Sequence, residues 1–350
     1  MNARDGARPG GTPDVGVVIA TRNRADRLAV TLERLLALPE RPRVVVVDNG
    51  STDHTRGLVS TRFPEVDLLA LPRNRGPLAR TAGVRELDTP YVAFSDDDSW
   101  WEPGALATAA ALFREHPRLG LVAARTLVGD EGDPDPLNDA LAASPLGRRP
   151  DLPGVDVLGF LGCAAVVRRS AYLDAGGYHP LLWIGGEETL LAYDLTALGW
   201  GVVYCPEVTA RHRPAPGPRP GREAMVRRNA VLTAWLRRPL RLAVGRTAIL
   251  AAAAPRDPAA RQALAGVLVR LPRALRARRP LPPAAEAAAR SVERAGRDGD
   301  AARRPVDGPA RRSVAASTGR RRPAWAGVRR RPSTRRGGAD GREGTARHGG

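Results

Sequence analysis

Three consecutive carboxylates, Asp96, Asp97 and Asp98, close the apolar run Tyr91-Val92-Ala93-Phe94. Three adjacent acids repel one another, so the cluster is cheap only where water or a shared cation screens it. Side chains alternate along an extended chain, which lets Asp96 and Asp98 face one divalent metal while Asp97 faces away. A solvated acidic turn is the competing reading, and the triplet alone does not separate the two. A second acidic pair, Glu187-Glu188, follows Gly185-Gly186. It either complements a helix dipole in a first turn or supplies a proton acceptor to a crevice. His212 lies beyond an apolar strand, as a surface histidine or as a metal neighbour.

The elements that would position these groups are legible. Residues 15–20 read as a buried strand running into Thr21-Arg22-Asn23-Arg24, and residues 25–38 as a helix with Leu28, Leu32, Leu35 and Leu36 at helical spacing. Residues 44–47 form a second apolar strand ending on Asp48-Asn49-Gly50-Ser51-Thr52-Asp53. A third unit pairs a strand at 66–71 with Arg73-Asn74-Arg75-Gly76-Pro77 and a helix to Leu87, and the acid-bearing strand follows. In an open parallel sheet the carboxyl ends of such strands line the ligand crevice. Further on, 105–115 reads as a helix, 119–124 as a strand, 130–153 as a mobile loop, 162–167 as a strand, 169–175 as a helix, 187–198 as a helix closed by Gly199, and 201–205 as the last strand. Residues 222–240 form an Arg-rich amphipathic helix.

Composition narrows the class. The 350 residues carry a formal charge of +18, yet residues 256–350 hold 24 Arg against 8 acids, leaving about +2 on residues 1–255. The folded part therefore lacks the basic face expected of a nucleic-acid binder, and nucleic acid is not the expected partner. Every Lys+Arg residue is Arg, and with the abundant Ala, Gly and Pro this reads as the coding bias of a GC-rich genome. Two cysteines, Cys163 and Cys205, suit neither a disulfide scaffold nor a zinc-cysteine site and point to a reducing, cytoplasmic compartment. The organisation expected is a leader at 1–14, a catalytic domain at 15–240 with halves at 15–125 and 155–240, a helical extension at 241–290 and a disordered basic tail at 291–350. The tail is either an unselected extension or an electrostatic tether to anionic lipid or nucleic acid.

Taken in order, the Thr21–Arg24, Asp48–Asp53 and Arg73–Gly76 segments, the Asp96–Asp98 triplet, Gly186-Glu187-Glu188 and His212 resemble the inverting family 2 glycosyltransferases of bacteria. The resemblance implies the α/β GT-A fold, a Rossmann-like, mostly parallel sheet flanked by helices. It implies transfer of a sugar from a nucleotide-sugar donor to a hydroxyl acceptor with Mg²⁺ or Mn²⁺, in cell-envelope or secondary-metabolite glycosylation. By that likeness Thr21, Asp48 and Arg24 hold the nucleotide base, Arg75 or Arg80 contacts phosphate, Asp96 touches ribose or metal, and Asp98 ligates the metal with His212 nearby. Glu188 stands where the family has its catalytic base, usually an Asp, and Glu187 is the second choice. The Arg222–Leu240 helix resembles helices that close the site in relatives with cell-surface acceptors, which implies a lipid-linked acceptor and peripheral contact with the inner face of the plasma membrane. The alternatives are a nucleotidyltransferase, which would want a Gly-rich phosphate loop that TRNRAD lacks, a non-catalytic nucleotide-sugar-binding protein, and nucleic-acid binding through the tail.

Overall fold

A computed structural model describes residues 14–302 apart from 216, 218 and 219. Strands β1 (Val15–Thr21), β2 (Arg43–Asp48) and β3 (Asp67–Ala70) alternate with helices α1 (Ala25–Leu36), α2 (Thr55–Arg62) and α3 (Leu78–Glu86). Then come β4 (Tyr91–Ser95), β5 (Ser99–Trp101), α4 (Ala105–Glu115), β6 (Leu119–Val128), β7 (Asp133–Pro134), α5 (Leu137–Ala142) and β8 (Val155–Asp156). The chain continues through β9 (Ala165–Arg168), α6 (Arg169–Asp174), α7 (Glu187–Ala197), β10 (Gly201–His212), α8 (Arg222–Arg237), α9 (Leu240–Ala253), α10 (Pro258–Arg276) and α11 (Pro283–Ala302).

One sheet runs in the order β3-β2-β1-β4-β9-β6-β10-β5. Strands β1 to β4 are mutually parallel, β9 is antiparallel to both its neighbours, and β10 returns parallel to β6. Because β2 and β4 flank β1 on opposite sides, the strand order reverses there, and a crevice opens at the carboxyl ends of these three strands. Their last residues lead into Asn49, Arg22 and Asp96.

The alternation of side chains sorts the core into two layers. Val17, Ile19, Val44 and Val46 pack on one face with Leu28, Leu32 and Leu35 of α1 and Phe113 of α4. Val18, Val45 and Val47 face the other way, against Ala79 and Val84 of α3, Tyr172 of α6 and Leu191 and Leu195 of α7. Both faces of the sheet are covered, which is why its strands read as continuous Val runs. A third cluster joins Leu182 and Leu190 to α8, α9 and α10.

Three expectations require correction. The 130–153 segment is not a featureless mobile loop: buried Asn138 of α5 bonds both backbone groups of Thr126, at 2.9 and 2.8 Å, and Arg149 forks onto Asp156 at 2.6 and 2.8 Å. The last strand does not stop at Cys205. Pro206 and Glu207 form an irregularity, after which Thr209–His212 pairs again with Arg125–Val128. Residues 291–302, expected as the start of a disordered tail, are helical in α11, where buried Arg238 holds Glu286 at 2.7 Å and also pairs with Glu293. The rest of that expected tail, and the 1–13 leader, lie outside the described residues.

Candidate active site

The first three strand-end loops are tied to one another by side chains. Asn49 donates from Nδ2 to the Gly76 carbonyl at 3.1 Å and accepts from the Arg75 N–H at 2.7 Å. Asn23, in the left-handed region at φ 55°, accepts from the Thr52 N–H at 2.8 Å while its own N–H donates to Ser51 Oγ at 3.0 Å. Asn tolerates that backbone geometry because its short amide bonds locally. Gly76 has φ 57°, and a Cβ there would lie 2.9 Å from the Trp183 ring, so this loop touches the segment leading to α7.

The acidic triplet fans out in three directions. Asp97 turns inward and accepts from Thr21 Oγ1 at 2.9 Å, and Thr31 donates to its carbonyl at 2.9 Å. Burial pushes its carboxyl up to about 7, partly offset by the Thr21 bond. Asp96 pairs with Arg80 of α3. Asp98 faces His212, whose Nε2 is 3.4 Å away, with Arg27 at 3.6 Å and Arg24 at 3.8 Å. This last meeting depends on β10: Ser99 and His212 are register partners, and the Arg213 N–H donates to the Asp98 carbonyl at 2.8 Å.

Asp96 therefore does not stand beside Asp98 and His212 as a third ligand. Arg80 is only 11% exposed, so it needs a counter-charge, and Asp96 supplies it. Among the described residues no group of three His, Cys, Asp or Glu side chains is arranged to hold a metal ion. The carboxylate and imidazole of Asp98 and His212 still fit a divalent cation that completes its shell with phosphate oxygens and water.

Asp48, at the end of β2, is completely buried. Its carboxylate accepts from the Ser51 N–H at 3.0 Å and from Arg56, so a nucleobase N–H reaches it only when Arg56 gives way. Arg75 is exposed, and its backbone, not its side chain, is what joins the loop network.

The second half of the site is α7. Gly186 caps it at φ 100°, a conformation that favours glycine and turns the chain into the helix. Glu187 is 3% exposed and bends back to accept from the Gly185 N–H. Burial, reinforced by the charge of Glu188, raises its carboxyl to about 8. Glu188 is half-buried and leans over Gly162, where a Cβ would sit 3.1 Å from Glu188 Oε1 and 3.5 Å from Tyr178 Oη. Tyr178 Oη and Arg80 Nε are both buried with no hydrogen-bond partner among the described residues. Arg80 ties the halves together. Burial works against its charge, but Asp96, Tyr178, Glu187 and Glu188 raise its pKa above the usual guanidinium value.

Residues 16–175 match the family model for glycosyl transferase family 2. The chain carries a family 2 glycosyltransferase domain. Over 97 residues this glycosyltransferase is 32% identical to the succinoglycan biosynthesis protein ExoU of Rhizobium meliloti, a stretch that spans 27% of this chain and 28% of that protein. It is 27% identical over 235 residues to the N-acetylglucosaminyl-diphospho-decaprenol L-rhamnosyltransferase of Mycobacterium tuberculosis, spanning 57% of this chain and 76% of that protein. Among solved structures, a mannosyltransferase from Pyrobaculum calidifontis in complex with GDP-Man and Mn²⁺ aligns with TM-score 0.50 and 20% identity, over 84% of this chain and 89% of that one. GalNAc-T7 with UDP, GalNAc and Mn²⁺ aligns with TM-score 0.51 and 16% identity, over 64% and 48% of the two chains. The fold is GT-A.

Four site residues of this glycosyltransferase escape a reading by motif. Arg27 repeats Arg24 three residues on and so falls on the same helix face, a signal available in the sequence. Arg56 carries no such signal. Asn229 of α8 is fully buried and donates to the carbonyls of Trp183 and Gly185 at 2.9 and 2.8 Å, fixing the segment that delivers Glu187 and Glu188. Tyr178 gains its place only through packing against Phe94 and Tyr172.

Proposed function

We propose that the chain transfers a sugar from a nucleotide-sugar donor to a hydroxyl acceptor, with inversion at the anomeric carbon and with help from a divalent cation. The observation that carries this reading is the position of Arg80: one buried guanidinium pairs with Asp96 of the donor half and faces Glu187 and Glu188 of the acceptor half. Donor and acceptor chemistry thus meet at one charge-balanced point.

In this reading the nucleoside lies over the ends of β1 and β2, with Asp48 accepting from the base and Asp96 near the ribose. Asp98 and His212 would hold Mg²⁺ or Mn²⁺, which supplies charge neutralisation to the leaving diphosphate. Arg24 and Arg27 stand at the same edge and add positive charge there. Glu188 takes the proton of the acceptor hydroxyl as its oxygen forms the bond to the anomeric carbon. The bond from that carbon to the diphosphate breaks on the opposite side, and the electron pair leaves on the diphosphate. Glu187, protonated near neutral pH and bonded to its own loop, keeps a second negative charge away from Glu188.

The test is release of nucleoside diphosphate from UDP-, GDP- and dTDP-sugars with Mn²⁺ or Mg²⁺. Slow hydrolysis by water reports on the donor site before the acceptor is known. Metal-dependent release that disappears in Asp98→Ala and in Glu188→Gln is the expected result. Failure of every donor to bind or turn over would sink the proposal. No described helix is long and apolar enough to cross a membrane. An acceptor presented at a membrane surface is consistent with the exposed Leu240, Val244, Ile249, Leu268 and Val269 on α9 and α10.

A further inference from the structure

A groove of about 480 Å³ runs from the first turn of α7 between α5 and α8 to α11. Its volume lies within the range of small-molecule sites. Leu137, Leu141, Val157, Leu158, Val226 and Val292 form most of its walls. The near end is lined by Gly186 and Thr189, the residues immediately flanking Glu187 and Glu188. The far end carries Arg246 and Glu293, which neutralise each other at 2.6 Å, so the groove offers no unpaired charge at its end. None of these walls belongs to the strand-end loops on which the donor is placed.

We propose that this groove seats the apolar body of the acceptor, an uncharged hydrocarbon or aromatic aglycone, and leaves its hydroxyl at the mouth beside Glu188. The inference rests on the proposed function and adds the acceptor's chemical class. The lining decides the class. Apolar walls gain from every methylene removed from water, whereas a phosphorylated or polyanionic acceptor body would lose its hydration and find only an ion pair already satisfied. Continuity with Gly186 and Thr189 decides the role, since a ligand held there ends within a residue or two of both glutamates.

Two exposed alanines on opposite walls, Ala140 of α5 and Ala230 of α8, let the groove be filled without disturbing the core. The experiment is calorimetric titration of the full chain with hexyl, octyl and decyl β-D-glucoside below their micellar concentrations, beside Ala230→Trp and Ala140→Trp, with thermal melts to show that each variant is folded. Affinity should rise roughly fourfold per methylene until the groove is full. Each tryptophan should weaken octyl glucoside binding by about tenfold or more and raise its KM as an acceptor. Affinity independent of alkyl length, or unchanged in both folded variants, overturns the inference. So does a dimer in light scattering that alkyl glucoside or Ala230→Trp dissociates, because the groove would then hold a second copy of the chain. Donor hydrolysis with a flat alkyl series removes this inference and spares the proposed function. No turnover of any donor removes that function and the acceptor role with it.

Discussion

The two halves of the site are built by different physics. In the donor half, short loops at strand ends are held by side chain to backbone hydrogen bonds from Asn23, Asn49 and Asp48, all within the first 76 residues. In the acceptor half, helices α7 to α11 meet through apolar clusters and a few buried charges, with Asn229 and Arg238 reaching 44 to 55 positions along the chain. Local bonding preorganises the donor loops. The acceptor wall exists only when distant helices have docked, so damage there should appear as lost stability or lost acceptor affinity before it touches the donor.

That contrast sets the order of the predictions. The largest effect belongs to the point where the halves meet: Asp98→Ala should lower donor turnover by about 10²- to 10³-fold, the scale seen when one preorganised electrostatic contact is removed. Nucleoside diphosphate release measures it, and a variant with near-normal turnover would remove Asp98 from the reaction. Next, Arg238→Ala should cost roughly 3 kcal/mol in urea unfolding, because it leaves Glu286 and Glu293 without their buried partner. Nucleotide affinity in the folded fraction should hold, and its loss would break the comparison.

A smaller effect is expected for Asn229→Ala. Two carbonyls lose their donor, at a cost of about 1 to 3 kcal/mol in a thermal melt, and acceptor transfer should fall more than donor binding. Equal losses on both would mean that α8 supports the whole site. The mildest test is pH. Folded Glu187 keeps its proton up to about 8, whereas the unfolded chain releases it in the ordinary carboxylate range, so folding takes up a proton between these limits. Stability should be greatest below the carboxylate range and decline as pH rises through about 8. Glu187→Gln should flatten that decline, and an unchanged slope would exclude Glu187 as its source.

The sequence showed the donor half well for a physical reason. Val runs bounded by Asp48 and Asp96 need only period-two alternation and a strand-end polar residue to be recognised, and the structure ends β2 on Asp48 and β4 one residue before Asp96. It showed the order of the acidic motifs but not their partners. Asp96 and Asp98 were expected side by side, yet Arg80, 16 residues away in sequence, draws Asp96 off. His212 was placed beyond a strand that seemed finished at Cys205, and only the irregularity at Pro206-Glu207 brings it to Asp98.

What the sequence determined by itself was therefore local: where strands and helices form, which ends carry acids, and where glycine must bend the chain at Gly76 and Gly186. Tertiary structure alone decided which charges neutralise each other, which glutamate turns to its own backbone and which leans over Gly162, and that an apolar groove opens beside them. These outcomes depend on burial and on side chains far apart in the sequence. Desolvation makes each buried charge seek a partner, and only the packed chain determines which partner lies within reach.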